Sequence, residues 1–178
     1  MDAHRQIETP SSWVCRFISR AQAGGRALDV ACGGGRHARY LAGLGYRVEA
    51  VDRDAQALHA LAGVAGIDTR VADLENGAWP YADERFDVVV VTNYLHRPLF
   101  AHLLAALAQG GTLVYETFAL GNERYGRPRN PEFLLRPGEL LQVTHGRLEV
   151  IAYENLEVAE PKPALIQRVC AINCAGIR

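Results

Sequence analysis

Arg26-Ala-Leu-Asp-Val-Ala-Cys-Gly-Gly-Gly-Arg36 is the stretch of sequence that decides the fold. It is an apolar run with one acid, Asp29, that breaks into three consecutive glycines and then takes on helical spacing. Glycines let a ligand approach the main chain, and free N–H groups at the start of the next helix favour negative charge. The stretch therefore predicts a strand, a ligand-binding turn and a helix, with a nucleotide-like ligand at the turn.

Short β-rich runs alternate with helical spacing along most of the chain. In the intervening segments leucines recur at helical steps, as in Leu99, Leu103 and Leu107. This alternation predicts βαβ units around a parallel sheet. Residues 88–91 are four valines, apolar on both faces, which is typical of a central strand covered by helices on both sides. The predicted strands are residues 27–31, 46–51, 67–72, 86–91 and 112–117, and the other leucine pairs are Leu41 with Leu44 and, after an Asp54 cap, Leu58 with Leu61.

The two ends of the chain differ from this pattern. Two strand-like runs, 148–158 and 165–174, are joined by a short turn with Pro161 and Pro163, which favours an antiparallel hairpin because a parallel return needs a longer crossover. At the N-terminus Ser11 or Ser12 can cap a helix that extends to about Ala23 and stops at two glycines, so residues 1–25 are expected to form an N-terminal helix.

Length and charge limit the classes of function. A chain of 178 residues predicts one domain, residues 1–178. The net charge of -1 draws the protein neither to nucleic acid nor to an anionic membrane, so no partner of either kind is expected. The N-terminus has no apolar signal segment and the four cysteines are scattered, so we expect a cytoplasmic protein without a zinc or disulfide framework.

Gly33-Gly-Gly-Arg-His-Ala38 matches the G-x-G-x-x-A fingerprint of dinucleotide sites, with Asp52 about twenty residues further on. A nicotinamide-dependent oxidoreductase is therefore one interpretation. Against it stand Asp29 four residues before the first glycine, Cys32 directly before that glycine, and the C-terminal hairpin.

The pattern Asp29-x-x-Cys-Gly-x-Gly35 resembles the first motif of the class I S-adenosylmethionine-dependent methyltransferases. The resemblance extends from Ala27 to Cys174, and in brevity and texture it is closest to the compact tellurite-resistance-type small-molecule methyltransferases. It implies an α/β fold: a Rossmann-like, seven-stranded, mostly parallel sheet in the order 3-2-1-4-5-7-6, its last hairpin antiparallel, with helices on both faces. It also implies S-adenosyl-L-methionine as the cofactor.

The same resemblance implies a cofactor site at the carboxyl ends of successive strands. Asp52 is expected to accept from both ribose hydroxyls, Asp73 from the adenine amino group, and Asp29 to face the methionine amino group, directly or through water. Simpler roles stay open, since Asp52 or Asp54 can cap a helix and Asp73 suits a turn. The implied set is Asp29, Ala31, Gly33, Gly35, Asp52, Arg53, Asp73, Leu74, Thr92 and Asn93.

Methyl transfer from a sulfonium needs alignment and exclusion of water, which can supply roughly 7–11 kcal/mol of the barrier. A base helps only an acceptor that carries a proton. His96 is the first candidate base and Glu116 the second. Alternatively His96 only begins a helix, and Glu116 binds a backbone N–H group.

Residues 117–141 are too long for a tight connection and predict a substrate lid. Arginines of this segment can bind a carboxylate or phosphate of the acceptor bidentately, although a solvated loop is the alternative. The substrate candidates are Tyr94, Arg124, Tyr125 and Arg127, with Arg129 beside them.

These observations predict a methyltransferase that acts on a small molecule, with an anionic acceptor as one possibility. A protein or tRNA acceptor stays open, as does the oligomeric state. The main alternative is a methyltransferase-like protein that binds S-adenosylmethionine without turnover, because a fold does not fix a function.

Overall fold

The computed structural model describes residues 9–18 and 25–174. Within them the helices are α1 (Ser12–Ile18), α2 (Arg36–Gly43), α3 (Ala55–His59), α4 (Phe100–Ala105) and α5 (Glu139–Thr144), with short 3₁₀ turns at Arg97–Leu99, Asn122–Arg124 and Pro131–Phe133. The strands are β1 (Arg26–Val30), β2 (Arg47–Asp52), β3 (Ile67–Val71), β4 (Phe86–Thr92), β5 (Leu107–Phe118), β6 (Glu149–Val158) and β7 (Ala164–Ile172).

The seven strands form one sheet in the order β3-β2-β1-β4-β5-β7-β6, as predicted. Strands β1 to β5 pair in parallel, and β7 pairs antiparallel with both β5 and β6. The predicted C-terminal hairpin is thus confirmed. Because the chain order reverses on either side of β1 and β4, the carboxyl ends of these two strands flank the crevice where open α/β sheets bind ligands.

Strand β4 has the central position that its four valines predict. Val89 and Val91 join the core cluster on one face, which includes Leu103 of α4. Val88 and Val90 join the cluster on the other face, together with Trp13, Leu41 and Leu58 from α1, α2 and α3. Helices therefore cover both faces of the sheet, and all four valines are fully buried.

The predicted leucine stripe of the fourth helix is wrong at its last member. Helix α4 ends at Ala105, and Leu107 begins β5, where it pairs with Phe86. The pairing then shifts to Thr112 opposite Val88, so β5 starts earlier than predicted and carries an irregularity in between. Leu107 is buried in the core as a strand residue. An apolar side chain is equally suited to a buried helix and to a buried strand, so its residue type could not distinguish the two.

Helices α2 and α3 are shorter than the leucine spacing predicts. Leu44 is the residue that follows α2, and Leu61 lies past the end of α3. Both helices are still anchored as expected, since Leu41 and Leu61 are fully buried and Asp54 caps α3 by accepting from the N–H groups of Gln56 and Ala57.

Ser11 is the cap of the first helix, because its hydroxyl oxygen accepts from the backbone N–H of Trp13 at 3.1 Å. The predicted extension of this helix to Ala23, and its stop at Gly24, lie outside the described residues. Asp87, the second residue of β4, joins the starts of β4 and β1 by accepting from the N–H of Arg26 at 2.7 Å. No helix in the described ranges has the length and hydropathy that a membrane span requires.

Candidate active site

The turn between β1 and α2 contains several residues with left-handed backbone. Ala31, Gly33 and Gly35 have φ angles of 52°, 53° and 73°. A Cβ added at Gly35 would lie 2.4 Å from Cδ1 of the buried Leu61, whereas one added at Gly33 would meet nothing within 4 Å. Gly35 therefore makes room for packing, and Gly33 leaves the main chain bare beside open space.

Asp52, at the end of β2, holds this glycine turn in place. Its Oδ2 accepts from the N–H of Gly33 at 2.8 Å, and its Oδ1 accepts from the N–H of Asp54 at 2.9 Å. Asp54, and not Asp52, caps α3. Because each carboxylate oxygen can accept more than one hydrogen bond, Asp52 keeps acceptor capacity for a ligand hydroxyl.

Asp29 lies below the turn and is almost fully buried, with 1% of its surface exposed. Its Oδ2 accepts from the N–H of Ala38 at 2.9 Å, which joins β1 to the first turn of α2. Burial raises the pKa of this carboxyl to about 7, and the hydrogen bond from Ala38 opposes that rise. Asp29 lines neither cavity described below, so this geometry gives it a role in holding α2 and offers no direct contact with a ligand.

A small cavity of about 250 Å³ lies at the carboxyl ends of β2, β3 and β4. Six of its nine lining residues belong to the cofactor set that the resemblance implies, among them Asp52, Asp73 and Leu74 from the adenosine half, and Tyr94, predicted to face the acceptor, also lies here. Asp73 combines both proposed roles, since it lines the cavity while its carboxylate accepts from the N–H groups of Glu75 and Asn76. The lining is Ala31, Asp52, Arg53, Ala72, Asp73, Leu74, Glu75, Asn93 and Tyr94.

A large cavity of about 1520 Å³ adjoins the small one. Residues 9–12, here called the N-terminal segment, form part of its lining, together with the glycine turn, Thr92, Glu116 and the loop residue Arg127. Ala31 and Asn93 line both cavities, so they mark the junction. Both are non-glycine residues with left-handed backbone, at φ 52° and 55°, and such strained residues cluster at ligand sites.

Glu116, predicted as the second candidate base, has both carboxylate oxygens engaged. Oε1 accepts from the Ser11 hydroxyl at 2.8 Å, and Oε2 accepts from Nη1 of Arg168 at 3.0 Å. Arg168 also donates through Nε to Glu154 at 2.7 Å and lies over the Trp13 ring at 4.5 Å from its centre. Although Glu116 lines the large cavity, its contacts are those of an ion pair that fastens the N-terminal segment to β5 and β7.

His96, predicted as the first candidate base, lines neither cavity. It precedes the 3₁₀ turn Arg97–Leu99, and its carbonyl accepts from the N–H of Leu99 at 3.0 Å. The simpler of its two roles, that of beginning a helical segment, is the one this geometry supports.

The predicted substrate loop divides into two parts. Arg124 forms an ion pair with Glu157 and stacks over the ring of Tyr125, and neither Arg124 nor Tyr125 lines the small or the large cavity. Their predicted contact with the substrate stays a prediction. Arg127 and Arg129 do line the large cavity, and within residues 9–18 and 25–174 neither has a hydrogen bond or an ion pair.

Sequence reasoning missed His37 and the N-terminal segment. Ser11 donates its backbone N–H to Nε2 of His37 at 3.1 Å, and Nδ1 of His37 lies 3.4 Å from Oγ1 of Thr92. Burial, with a smaller contribution from the charge of Arg36, lowers the pKa of His37 to about 3. The only signal was its position in the glycine motif, because its contacts depend on residues 26 and 55 positions away.

Comparison with known families agrees with this fold. A family model described as a methyltransferase domain matches residues 27–111, which include the glycine turn and the ends of β2, β3 and β4. No curated protein sequence matches the chain.

Solved structures with the same fold include TehB from Haemophilus influenzae, with a TM-score of 0.75 and 19% identity over 92% of this chain. The chain spans only 62% of the length of that protein. The N-methyltransferase NodS from Bradyrhizobium japonicum WM9 has a TM-score of 0.71 and 18% identity, over 91% of this chain and 92% of its own. A TehB-like SAM-dependent methyltransferase from Corynebacterium glutamicum has a TM-score of 0.66 and 22% identity, over 90% and 86% of the two chains.

Proposed function

We propose that this chain is a class I S-adenosylmethionine-dependent methyltransferase and that it transfers a methyl group to a small anionic molecule in the large cavity. The observation that carries the proposal is the junction of two cavities at Ala31 and Asn93. One cavity lies on the adenosine side, and the other is lined in part by Arg127 and Arg129, which have no hydrogen bond or ion pair among the described residues.

The residues around the junction fit the cofactor. Gly33 leaves bare main chain at the entrance, so a methionine moiety meets no side chain there. Asp52 keeps acceptor capacity for ribose hydroxyls, and the apolar side chain of Leu74 lies beside Asp73 in the small cavity for the adenine ring. When bound, S-adenosylmethionine supplies an electrophilic methyl group on a sulfonium.

The chain's own contribution to transfer is alignment and exclusion of water. Glu116 is held by Ser11 and Arg168, and His96 lies off both cavities, so neither candidate base faces an acceptor proton freely. This arrangement suits an acceptor whose nucleophilic atom is already anionic, such as a thiolate or a selenium or tellurium oxyanion, because such an atom needs no proton removed during transfer.

Arg127 and Arg129 favour an acceptor with a second negative group. Both line the large cavity without a protein partner among the described residues, and Lys162 from the β6–β7 turn lies on the same cavity lining. The anionic Glu160 also lines this cavity, but the three cations Arg127, Arg129 and Lys162 outnumber it, and the other acid of the lining, Glu116, is already paired with Arg168. Guanidinium groups bind carboxylates and phosphates bidentately, and among the described residues no protein group is paired with Arg127 or Arg129.

The experiment is transfer of the labelled methyl group of S-adenosylmethionine to a panel of small acceptors. The panel holds 3-mercaptopropionate, its uncharged counterpart 2-mercaptoethanol, selenite and 4-hydroxybenzoate. We expect methylation of the anionic thiol at a KM well below that of the uncharged thiol. A double substitution, Arg127→Gln with Arg129→Gln, should raise the KM for 3-mercaptopropionate about tenfold or more, as loss of charge-assisted hydrogen bonds predicts.

Arg124→Gln is the matched control, because Arg124 belongs to the same loop but is paired with Glu157 away from the cavity. An equal effect of the double variant and this control would contradict the acceptor assignment. Intact cofactor binding without methylation of any compound, or of protein and RNA extracts, would favour the alternative of a binding protein without turnover.

The cytoplasm is the compartment that we propose for this protein.

A further inference from the structure

A chain of hydrogen bonds connects the N-terminal segment to the lining of the large cavity through His37. The backbone N–H of Ser11 donates to Nε2 of His37 at 3.1 Å. A backbone amide can only donate, so Nε2 must be the unprotonated nitrogen of the ring. The contact with Ser11 therefore selects one tautomer of His37.

A neutral imidazole with a bare Nε2 carries its single proton on Nδ1. His37 is neutral here, because only 2% of its surface is exposed and the neighbouring charge of Arg36 disfavours the imidazolium. Nδ1 lies 3.4 Å from Oγ1 of Thr92, so the N–H at this position donates to the threonine oxygen.

Thr92 then has its own hydroxyl proton to give. Its oxygen accepts from His37, and among residues 9–18 and 25–174 the hydroxyl has no second protein partner. Thr92 ends β4, lines the large cavity and directly precedes Asn93 at the junction with the small cavity. A ligand oxygen in the large cavity is the partner that remains for this proton.

We propose that Thr92 binds an anionic oxygen of the methyl acceptor, and that His37, fixed by the backbone of Ser11, is the positioning residue that makes the Thr92 hydroxyl a donor. The ligand named in this inference rests on the proposed function, whereas the hydrogen-bond chain from Ser11 through His37 to Thr92 does not. In this inference the N-terminal segment takes part in acceptor binding through the backbone N–H of Ser11, which contacts His37. The contact of the Ser11 hydroxyl with Glu116 only attaches the segment to the sheet.

The first test reads the tautomer of His37 directly, by long-range ¹H–¹⁵N NMR spectra of the whole protein without ligand. We expect the Nδ1–H tautomer in the wild type and in Ser11→Ala, which loses the hydroxyl but keeps the backbone N–H. Ser11→Pro loses both, so the Nδ1–H tautomer should lose its dominance. An Nε2–H tautomer or an imidazolium in the wild type at pH 7 would overturn the chain, and so would an unchanged tautomer in a folded Ser11→Pro variant.

The second test separates acceptor binding from cofactor binding. Thr92→Val and His37→Met should each raise the KM for 3-mercaptopropionate about tenfold, with the dissociation constant of S-adenosylhomocysteine unchanged within about twofold. The thioether of His37→Met can accept weakly from Ser11 but has no proton to donate, so the donor to Thr92 is lost. Thr92→Ser should recover most of the lost affinity.

A weakening of S-adenosylhomocysteine binding in Thr92→Val, with the acceptor KM unchanged, would assign the hydroxyl to the cofactor and overturn the proposal. Absence of transfer to 3-mercaptopropionate and the rest of the panel by the wild type would refute the proposed function, whereas the tautomer spectra would still decide the hydrogen-bond chain. The two failures are therefore distinguishable.

Discussion

His37 and Asp29, two buried titratable residues around the glycine turn, should give the stability of the protein opposite dependences on pH. Burial lowers the pKa of His37 from 6.5 to about 3. Between these values the unfolded chain binds a proton that the folded chain does not, so the free energy of unfolding rises with pH. The stabilisation is complete above pH 6.5 and is lost as the pH falls toward 3.

For Asp29 the sign is reversed. Burial raises its pKa from 3.8 to about 7, so in this range the folded chain binds a proton that the unfolded chain does not. Its contribution is complete below pH 3.8 and is lost as the pH rises through 7. Each slope amounts to about 1.4 kcal/mol per pH unit, and in the wild type the two oppose each other between about pH 4 and pH 6.5.

Removing one group exposes the slope of the other. Relative to wild type, we expect the free energy of unfolding of His37→Gln to fall by up to about 3 kcal/mol from pH 4 to pH 6.5, and that of Asp29→Asn to rise by a similar amount. The double variant should run parallel to wild type. Urea unfolding followed by circular dichroism at three pH values in this range measures all four proteins. If the free energies of unfolding of the two single variants depended on pH in the same way, that result would refute the reasoning.

The other predictions concern the glycine turn and the carboxylate of β5. Gly35→Ala should destabilise the fold by about 2–4 kcal/mol in urea titrations, because the position has a positive φ and the added Cβ would collide with Leu61. Gly33→Ala should destabilise it by only about 1–2 kcal/mol, because only the positive φ opposes the change, and its main effect should be weaker cofactor binding in calorimetry. Equal losses of stability would contradict this distinction. Glu116→Gln should lower stability by about 3 kcal/mol, since it leaves Arg168 without that partner, and should leave the pH profile of kcat/KM for 3-mercaptopropionate unchanged. Loss of one limb of that profile would show that Glu116 is a base after all.

Local pattern was enough to predict a parallel sheet with helices around it, and the resemblance to a known family added the strand order and the expected cofactor residues. The valines of β4 and the alternation of strands with helices define the sheet without reference to distant contacts. Asp52 could be predicted for the same reason, because the end of a parallel strand next to β1 must lie at the carboxyl edge of the sheet.

The residues around the acceptor could not be assigned in this way, because their partners come from distant parts of the chain. Arg124 and Arg127 look alike in sequence, but within the part of the chain that the structure describes only Arg124 meets an acid, Glu157 on β6. Likewise, nothing near Glu116 in the sequence indicates that Ser11 and Arg168 occupy its carboxylate. The sequence thus shows that a loop residue is charged, but the fold decides whether its side chain is paired.

The most direct test of the central claim is calorimetric titration of the protein with S-adenosylmethionine, in the wild type, Asp52→Ala and Asp54→Ala. Asp52 is the last residue of β2 and Asp54 lies two residues beyond it; both accept backbone hydrogen bonds, but of these two only Asp52 lines the small cavity. We expect the wild type to bind, Asp52→Ala to bind at least about tenfold more weakly, and Asp54→Ala to bind as the wild type does while losing about 1 kcal/mol of stability with its helix cap. No binding by the wild type, or equal affinity in the three proteins, would contradict the account.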